Sequence, residues 1–389
     1  MTEMSDQSRV FRVGISGSYG GMNLGDEAIL EGILLQLRRT LPVEITVFSL
    51  NPEDTLSRHE VERAIPIRRM TRKEAAREIE RLDVFVLGGG GILYDRDVEK
   101  YLREVKIAHE IGVPVFIYAV SAGPLTLTST RNAVRDSLNK AAVITVRDRQ
   151  GYRLLEDVGI DREIHLTADP ALLVEPEEVP IRALEAEGVR FDRPLVGFSV
   201  REPGPAAPDI DPEHYYALLA NTADYIIERL DADVVFVPME RADVQHSHGV
   251  VAQMINAERV EVLRRKYSAQ QTLDMLRYFE FAVGMRLHFL IFAALQGTPF
   301  VALPYASKVV GLLEDLEMPA PPLGEIGIGQ LIATIDRSWD TRDEIRRKIQ
   351  NCLPRLKQRA RLTNDLLCNL LNNMNGERRD RYASEQDFR

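Results

Sequence analysis

The chain has 389 residues, of which 45% are hydrophobic and 28% charged, an ordinary globular composition whose length favours two domains. Its formal net charge of −10 argues against a nucleic-acid partner. The only two cysteines, Cys352 and Cys368, predict neither a disulfide framework nor a zinc site and are compatible with a reducing cytoplasm.

Neither the start of the chain nor its apolar runs indicate export or membrane insertion. The opening residues "MTEMSDQSRVF" lack a basic segment and an apolar core, so we expect no signal peptide. The runs "FLIFAAL" and "PFVALPY" are too short to cross a bilayer. We therefore expect a cytoplasmic protein, either free or associated with the inner face of the cell membrane.

In the first half of the chain, short apolar strands alternate with helical patterns. The predicted strands cover 11–17, 43–49, 84–89, 113–120, 142–148 and 164–170. The predicted helices cover about 26–40, 71–81, 98–111, 129–140 and 149–157. Buried-type strands separated by helices indicate a parallel, doubly wound sheet.

A second α/β series follows an acidic, proline-bearing linker at 174–188. Its predicted strands cover 194–200, 233–239, 260–263, 281–285 and 299–305, and its predicted helices cover 212–230, 243–256, 269–278 and 287–296. A long polar helix, about 341–373, is expected to pack back on the first domain.

The predicted architecture is therefore two Rossmann-like α/β domains facing each other across a cleft, followed by a C-terminal helix. We expect an N-terminal domain over residues 1–178, a C-terminal domain over 189–340, and a helix with a tail over 341–389. Ligands of such sheets bind where strands end and helices begin, which places the expected site in the cleft.

The stretch "GISGSYGGMNLGDEAIL" is a glycine-rich turn that opens into an apolar helix. It lacks the Lys-Ser or Lys-Thr of a triphosphate loop, and its glycines do not match the dinucleotide spacing. Instead it carries Asn23, Asp26 and Glu27, which suit sugar hydroxyls better than an anion. The alternative is a purely structural strand–turn–helix in which Asp26 caps the helix.

A second glycine-rich turn, "LGGGGILYD", follows the strand at 84–89. Gly89 and Gly90 let a ligand approach the backbone closely, which is a second candidate binding element. The alternative is a tight crossing of chain segments that requires glycine for steric reasons.

Four basic residues form a candidate anion pocket in the second domain. "SVREPG" places Arg201 just after a strand, and "GMRLHFL" places Arg286 and His288 at the first turn of an apolar helix. "YASKVV" adds Lys308 at the start of the next helix. Guanidinium groups and helix N-termini favour anions, although a buried core histidine is the alternative for His288.

Taken together, these stretches resemble the polysaccharide pyruvyl transferase family. The matching pieces also include "AVSAGP", "ITVRDRQGYRLLEDVGI" and "TADPALL", so they extend from residue 14 to about 315. The resemblance implies a two-domain fold of the glycosyltransferase-B type. It also implies transfer of the enolpyruvyl group of phosphoenolpyruvate to two hydroxyls of a sugar, which forms a pyruvate ketal and releases phosphate.

The same resemblance implies roles for the candidate residues. Arg201 and Arg286 would hold the carboxylate and phosphate of the donor, with Lys308 as a third cation, and His288 would be the general acid. The first-domain loops would then face the saccharide acceptor, whether free or lipid-linked; the residues concerned are Asn23, Asp26, Glu27, Gly89 and Gly90. Phosphoenolpyruvate is a substrate here, and we expect neither a cofactor nor a metal.

Two other classes of function are compatible with these patterns. A nucleotide-sugar glycosyltransferase of the same fold would also use glycine loops and a basic pocket, and a non-catalytic binding protein could retain both. The sequence leaves open the acceptor sugar, the position and stereochemistry of the ketal, the catalytic base and the oligomeric state, a homo-oligomer included.

Overall fold

The computed structural model describes residues 9–202, 211–303, 306–319 and 327–387. Chain contacts divide the protein into two compact units. The first unit comprises Met1–Gly21, Ile29–Leu173 and Gln358–Arg389, and the second comprises Met22–Ala28 and Val174–Lys357. The short segment 22–28, which the sequence suggested for the first domain, thus groups with the second unit.

Within the described residues, the first unit contains an eight-stranded sheet. The strands are β1 Phe11–Ser16, β2 Val43–Ser49, β3 Arg63–Pro66, β4 Val84–Leu87, β5 Gly90–Leu93, β6 Val115–Ala122, β7 Val143–Val146 and β8 Ile164–Leu166. The helices are α1 Leu24–Thr40, α2 Pro52–Arg58, α3 Arg72–Ile79, α4 Val98–Ile111, α5 Thr128–Leu138 and α6 Arg149–Val158. The strand order is β3-β2-β1-β4-β6-β7-β8, with β5 also paired to β6.

The strands of this sheet pair in parallel, as the sequence predicts. The adjacent residues Val47 and Phe48 of β2 and Phe85 and Val86 of β4 are fully buried. Because neighbouring residues of a strand face opposite sides, these central strands carry apolar side chains on both faces of the sheet. Strands β3 and β5 are not predicted from the sequence. The glycines of residues 90–93 indicate a turn, but Ile92 and Leu93 are buried and extend the sheet.

The second unit contains a five-stranded parallel sheet within the described residues. The strands are β9 Leu195–Ser199, β10 Asp233–Phe236, β11 Val260–Val262, β12 Phe281–Gly284 and β13 Phe300–Ala302, in the order β11-β10-β9-β12-β13. The helices are α7 Ile181–Glu185, α8 Pro212–Leu230, α9 Arg241–Val251, α10 Ala269–Met275, α11 Leu287–Gln296, α12 Ser307–Asp315 and α13 Ile328–Asp340. Of the last strand predicted at 299–305, residues 304 and 305 lie outside the described part of the chain.

The final helix, α14 Arg342–Asp387, is longer than predicted and contains Pro354. From Gln358 onward it belongs to the first unit. There Arg359 donates to the carbonyl of Thr167 at 2.7 Å, and Asn364 donates to Oγ1 of Thr40 at 3.1 Å. The expected packing of this helix on the first domain is therefore confirmed. In the described part of the chain, none of the helices is both long and apolar enough to span a membrane.

Candidate active site

The candidate site lies in the second unit, where neighbouring strands β9 and β12 end. The strand order reverses between them, because β9 continues towards β10 and β11 while β12 continues towards β13. Ser199 pairs with Gly284, so Arg201 and Arg286 each stand two residues beyond a paired position. In parallel sheets such a reversal is where ligands bind, and the two arginines predicted from sequence both follow it.

Arg286 is buried and paired with two carboxylates. Its Nε donates to Oδ2 of Asp243 at 3.1 Å, and its Nη2 contacts both Oδ1 of Asp243 and Oε1 of Glu240. Asp243 also accepts from the backbone N–H of Met239 at 3.0 Å and of Glu240 at 3.2 Å, which fixes it at the start of α9. The two-point contact therefore anchors the guanidinium plane to the N-terminus of that helix.

These ion pairs change the electrostatics expected from sequence. Burial would lower the pKa of Arg286, but Asp243 and Glu240 more than compensate, so its pKa is raised and the group stays cationic. Burial would likewise raise the pKa of Glu240, but Arg286 outweighs this and the pKa is lowered. Arg201 also attracts Glu240. The pocket thus holds two guanidiniums and two carboxylates, and is less cationic than the sequence suggests.

The hydrogen bonds of the Arg286 guanidinium to these carboxylates use Nε and Nη2. Among the described residues, Nη1 makes no hydrogen bond. The predicted donor-binding role of Arg286 would use this nitrogen.

The segment 22–28 packs against this cluster within the second unit. The backbone N–H of Leu24 donates to the carbonyl of Met239 at 2.8 Å, and Nδ2 of Asn23 donates to Oε2 of Glu240 at 2.9 Å. Asn23 was predicted as an acceptor-binding residue. In the structure its Oδ1 also accepts from the N–H of Gly25 at 2.9 Å, so both polar side-chain atoms make internal hydrogen bonds, and the predicted contact with the acceptor stays untested.

The alternative in which Asp26 caps this helix is wrong. Helix α1 begins at Leu24, so the cap is Asn23, whose carbonyl also accepts from the N–H of Glu27 at 3.1 Å. Asp26 lies inside the first turn, half-buried, where its charge is favourable to the helix dipole. Glu27 is only 1% exposed, so it contributes to the packing of the turn.

Gly25 is the point where the two most distinctive motifs meet. A Cβ at this position would lie 2.7 Å from Cγ and 2.8 Å from Cε1 of His288, and closer still to Nδ1. The imidazole therefore rests directly on the backbone of α1. This contact explains why a glycine stands in a helical turn where alanine would be favoured by propensity.

The remaining predicted cations are also in the second unit. His288 is half-buried on α11, although most of that helix is buried, and Lys308 is half-buried at the second position of α12. Arg201 is half-buried, and its Nε donates to the carbonyl of Glu202 at 3.0 Å. Their roles in donor binding and catalysis stay predictions.

Gly89 and Gly90 lie in the first unit and are buried. A Cβ on Gly89 would lie 2.9 Å from Cγ2 of Ile29 and 3.3 Å from the carbonyl oxygens of Tyr118 and Ala119. Gly90 has a φ of 105°, a conformation that favours glycine. Packing and backbone geometry therefore account for both glycines, and their predicted contact with the acceptor stays untested.

Sequence reasoning missed Glu240 and Asp243. The signal was present in "VPMERADV", where two acidic residues three positions apart follow β10, because this spacing is typical of reciprocal helix capping. Their pairing with Arg286, 43 to 46 residues later, could not be read from the sequence. Within the described residues, no group of three or more His, Cys, Asp or Glu side chains could hold a metal ion.

Solved structures with similar architecture share the fold at low sequence identity. UDP-GlcNAc 2-epimerase from Neisseria meningitidis, bound to UDP-GlcNAc, has a TM-score of 0.62 and 10% identity, covering 93% of this chain and 100% of that one. Anabaena Alr3699/HepE, in complex with UDP and glucose, has a TM-score of 0.63 and 12% identity, covering 92% and 99%. The S. aureus MnaA–UDP structure has a TM-score of 0.61 and 11% identity, covering 87% and 90%. The predicted glycosyltransferase-B-like fold, with two Rossmann-like parallel sheets, is thus confirmed.

The family is identified from sequence. A model of the polysaccharide pyruvyl transferase family matches residues 23–307, which is well over half of the chain. The protein belongs to the polysaccharide pyruvyl transferase family, as the motifs predicted. No curated protein matches the chain in sequence.

Proposed function

We propose that the protein transfers the enolpyruvyl group of phosphoenolpyruvate to two hydroxyls of a saccharide, forming a pyruvate ketal and releasing phosphate in cell-surface polysaccharide biosynthesis. Membership of the family supports the reaction class. The observation that carries the proposal is the arrangement around β9 and β12. Arg201 and Arg286 follow paired strand positions, and His288 lies two residues further on, against Gly25.

The proposed donor site matches the charges of phosphoenolpyruvate, which carries a carboxylate and a phosphate. Nη1 of Arg286 offers two donors in a fixed orientation, and Arg201 and Lys308 add two further cations. Because Arg286 is already neutralised by Asp243 and Glu240, we assign it the orientation of the donor. Arg201 and Lys308 are proposed to contribute to the charge compensation.

The proposed reaction has two bond-forming steps. His288 protonates the methylene carbon of the donor, and the first sugar hydroxyl attacks the resulting cationic carbon, giving a tetrahedral phosphate adduct. The second hydroxyl then displaces phosphate at that carbon and closes the ketal. One hydroxyl proton restores His288 and the other leaves with phosphate, so the reaction is balanced without an oxidant or a metal.

On the acceptor side, we propose that Asp26, which is half-buried in the first turn of α1, meets a sugar hydroxyl. The carboxylate of Asp26 can accept a hydrogen bond from such a hydroxyl. We propose that Gly89 and Gly90 contact the acceptor through their backbone.

The test is release of phosphate from phosphoenolpyruvate in the presence of a panel of free and lipid-linked saccharides. The product should contain one pyruvate ketal per phosphate released, measured by mass spectrometry and NMR. In a parallel assay, nucleotide sugars replace phosphoenolpyruvate with the same panel of saccharides. Consumption of a nucleotide sugar would identify a glycosyltransferase. Binding of a saccharide with no turnover of either donor would indicate a non-catalytic protein.

A further inference from the structure

Glu240 joins two elements of the site through its two carboxylate oxygens. Oε1 contacts Nη2 of Arg286, and Oε2 accepts from Nδ2 of Asn23 at 2.9 Å. Its side chain is 32% exposed, whereas that of Asp243 is completely buried. Glu240 is therefore the carboxylate of the pair that reaches towards solvent.

The charge of Arg286 does not by itself require Glu240. Asp243 already makes a two-point contact with the guanidinium and also accepts two backbone N–H groups at the start of α9. A single well-bonded carboxylate compensates a buried guanidinium, so a second one at the same nitrogen calls for another explanation.

That explanation lies on the other side of Glu240. Asn23 holds the start of α1 through the N–H of Gly25, and the backbone of Gly25 supports the imidazole of His288. A continuous chain of contacts therefore runs from Arg286 through Glu240, Asn23 and Gly25 to His288. Arg286 and His288 are also joined through the backbone, because they flank Leu287, the first residue of α11. The two residues are therefore connected both by the backbone and by this series of contacts.

We propose that Glu240 is a positioning residue that fixes the guanidinium of Arg286 relative to the imidazole of His288. This inference rests on the proposed function, in which the two groups act on one donor molecule. A role as general base fits the geometry less well, because the neighbouring guanidinium disfavours protonation of the carboxylate.

The experiment compares Glu240→Gln, Glu240→Asp and Asn23→Ala with the wild-type protein. Glu185→Gln is the matched control, because Glu185 is an exposed glutamate on α7 of the same unit. Binding of phosphoenolpyruvate is measured by calorimetry without acceptor, and thermal melting shows how much of each variant is folded. Phosphate release is then measured with the acceptor that supports wild-type turnover.

We expect Glu240→Gln to weaken binding of phosphoenolpyruvate by roughly 10- to 100-fold, the range for one charge-assisted hydrogen bond. Glu240→Asp should be intermediate, because it keeps the charge but spans a shorter distance. Asn23→Ala should weaken donor binding less, and the double variant with Glu240→Gln should bind no worse than Glu240→Gln alone, because both changes break the same link.

Three results would overturn the inference. Tighter donor binding by Glu240→Gln would show that the carboxylate merely repels the anion. Unchanged donor binding and turnover by folded Glu240→Gln would show that it is a stabilising ion pair and nothing more. Additive effects of the two substitutions would show that no link exists. Failure of the wild-type protein to bind and turn over phosphoenolpyruvate would instead refute the proposed function itself.

Discussion

Substitution of Gly25 by alanine tests the contact between the two family motifs directly. Gly25 is the second residue of α1, where alanine is intrinsically favoured over glycine by about 0.5–1 kcal/mol. The new Cβ would lie 2.7 Å from Cγ of His288, however, and carbon atoms in contact prefer about 3.5–4.0 Å. Rotation of the ring about its Cβ–Cγ bond leaves Cγ in place, so this rotation alone cannot relieve the overlap.

The imidazole must therefore move by roughly 1 Å, and a displacement of that size can cost about 100-fold in rate. We expect Gly25→Ala to lower kcat for phosphate release from phosphoenolpyruvate by about 100-fold. The melting temperature should change little, since the gain in helix propensity offsets part of the steric cost. The assay is steady-state phosphate release, with thermal melting on the same sample.

Gly329→Ala is the matched control. Gly329 is likewise the second residue of a helix, α13, and apart from its chain neighbours and its own helix backbone no atom of the described residues lies within 4 Å of a Cβ placed there. This variant should keep wild-type kinetics. If Gly25→Ala also kept them, the position of His288 on α1 would have no bearing on catalysis, and the reasoning would fail. A large loss of melting temperature without a loss of specific activity would show that His288 is a packing residue.

Three further predictions concern single side chains. His288→Ala should lower the rate by about 10²–10⁴ in steady-state phosphate release while the protein remains folded; early melting with full specific activity would count against the role of general acid. Arg286→Lys keeps the charge but loses the planar fork, so the KM for phosphoenolpyruvate should rise by about 10- to 150-fold, and unchanged saturation would remove Arg286 from the donor site. Burial raises the pKa of Glu104 to about 7 although Arg103 opposes this, so ionisation should cost the wild-type fold roughly 3 kcal/mol between pH 4.5 and pH 8. Urea denaturation should show that loss in the wild-type protein but not in Glu104→Gln, and parallel pH profiles would contradict it.

The architecture was predictable because its signals are local. Many of the parallel strands are short apolar runs, such as β1 and β12. Some of the helices carry their own start signal, such as the capping boxes that begin α3 and α10. The strands that were missed have weaker patterns. Strand β3 is only four residues long and contains Arg63 and Pro66, and β5 begins with two glycines, so both were interpreted as irregular chain.

The partners of the site residues were not predictable, because they depend on contacts between distant parts of the chain. Arg286 and His288 could be selected from their position at a strand end. Asp243 reaches the guanidinium of Arg286 only because β9 lies between β10 and β12 in the sheet. This strand order cannot be derived from the sequence alone. The start of α1 was misjudged for a simpler reason, since Asn23 and Asp26 are both good caps and only the backbone decides between them.

The paired state of Arg286 bears on how the proposed site achieves specificity. A guanidinium held by Asp243 and Glu240 contributes little net charge, so it attracts the carboxylate and phosphate of phosphoenolpyruvate less strongly than an isolated arginine would. It is, however, held in one orientation before the ligand arrives, and a preorganised donor loses less free energy on binding. On this proposal, different residues supply the charge and the orientation.

Substitution of Lys308 by glutamine, which removes its charge, should weaken the binding of any phosphate. It should also reduce the dependence of the binding affinity on salt concentration. Disturbing Arg286 should instead reduce discrimination between phosphoenolpyruvate and inorganic phosphate. Competition calorimetry at two salt concentrations measures both quantities, and equal effects of the two substitutions on both would refute this division of roles.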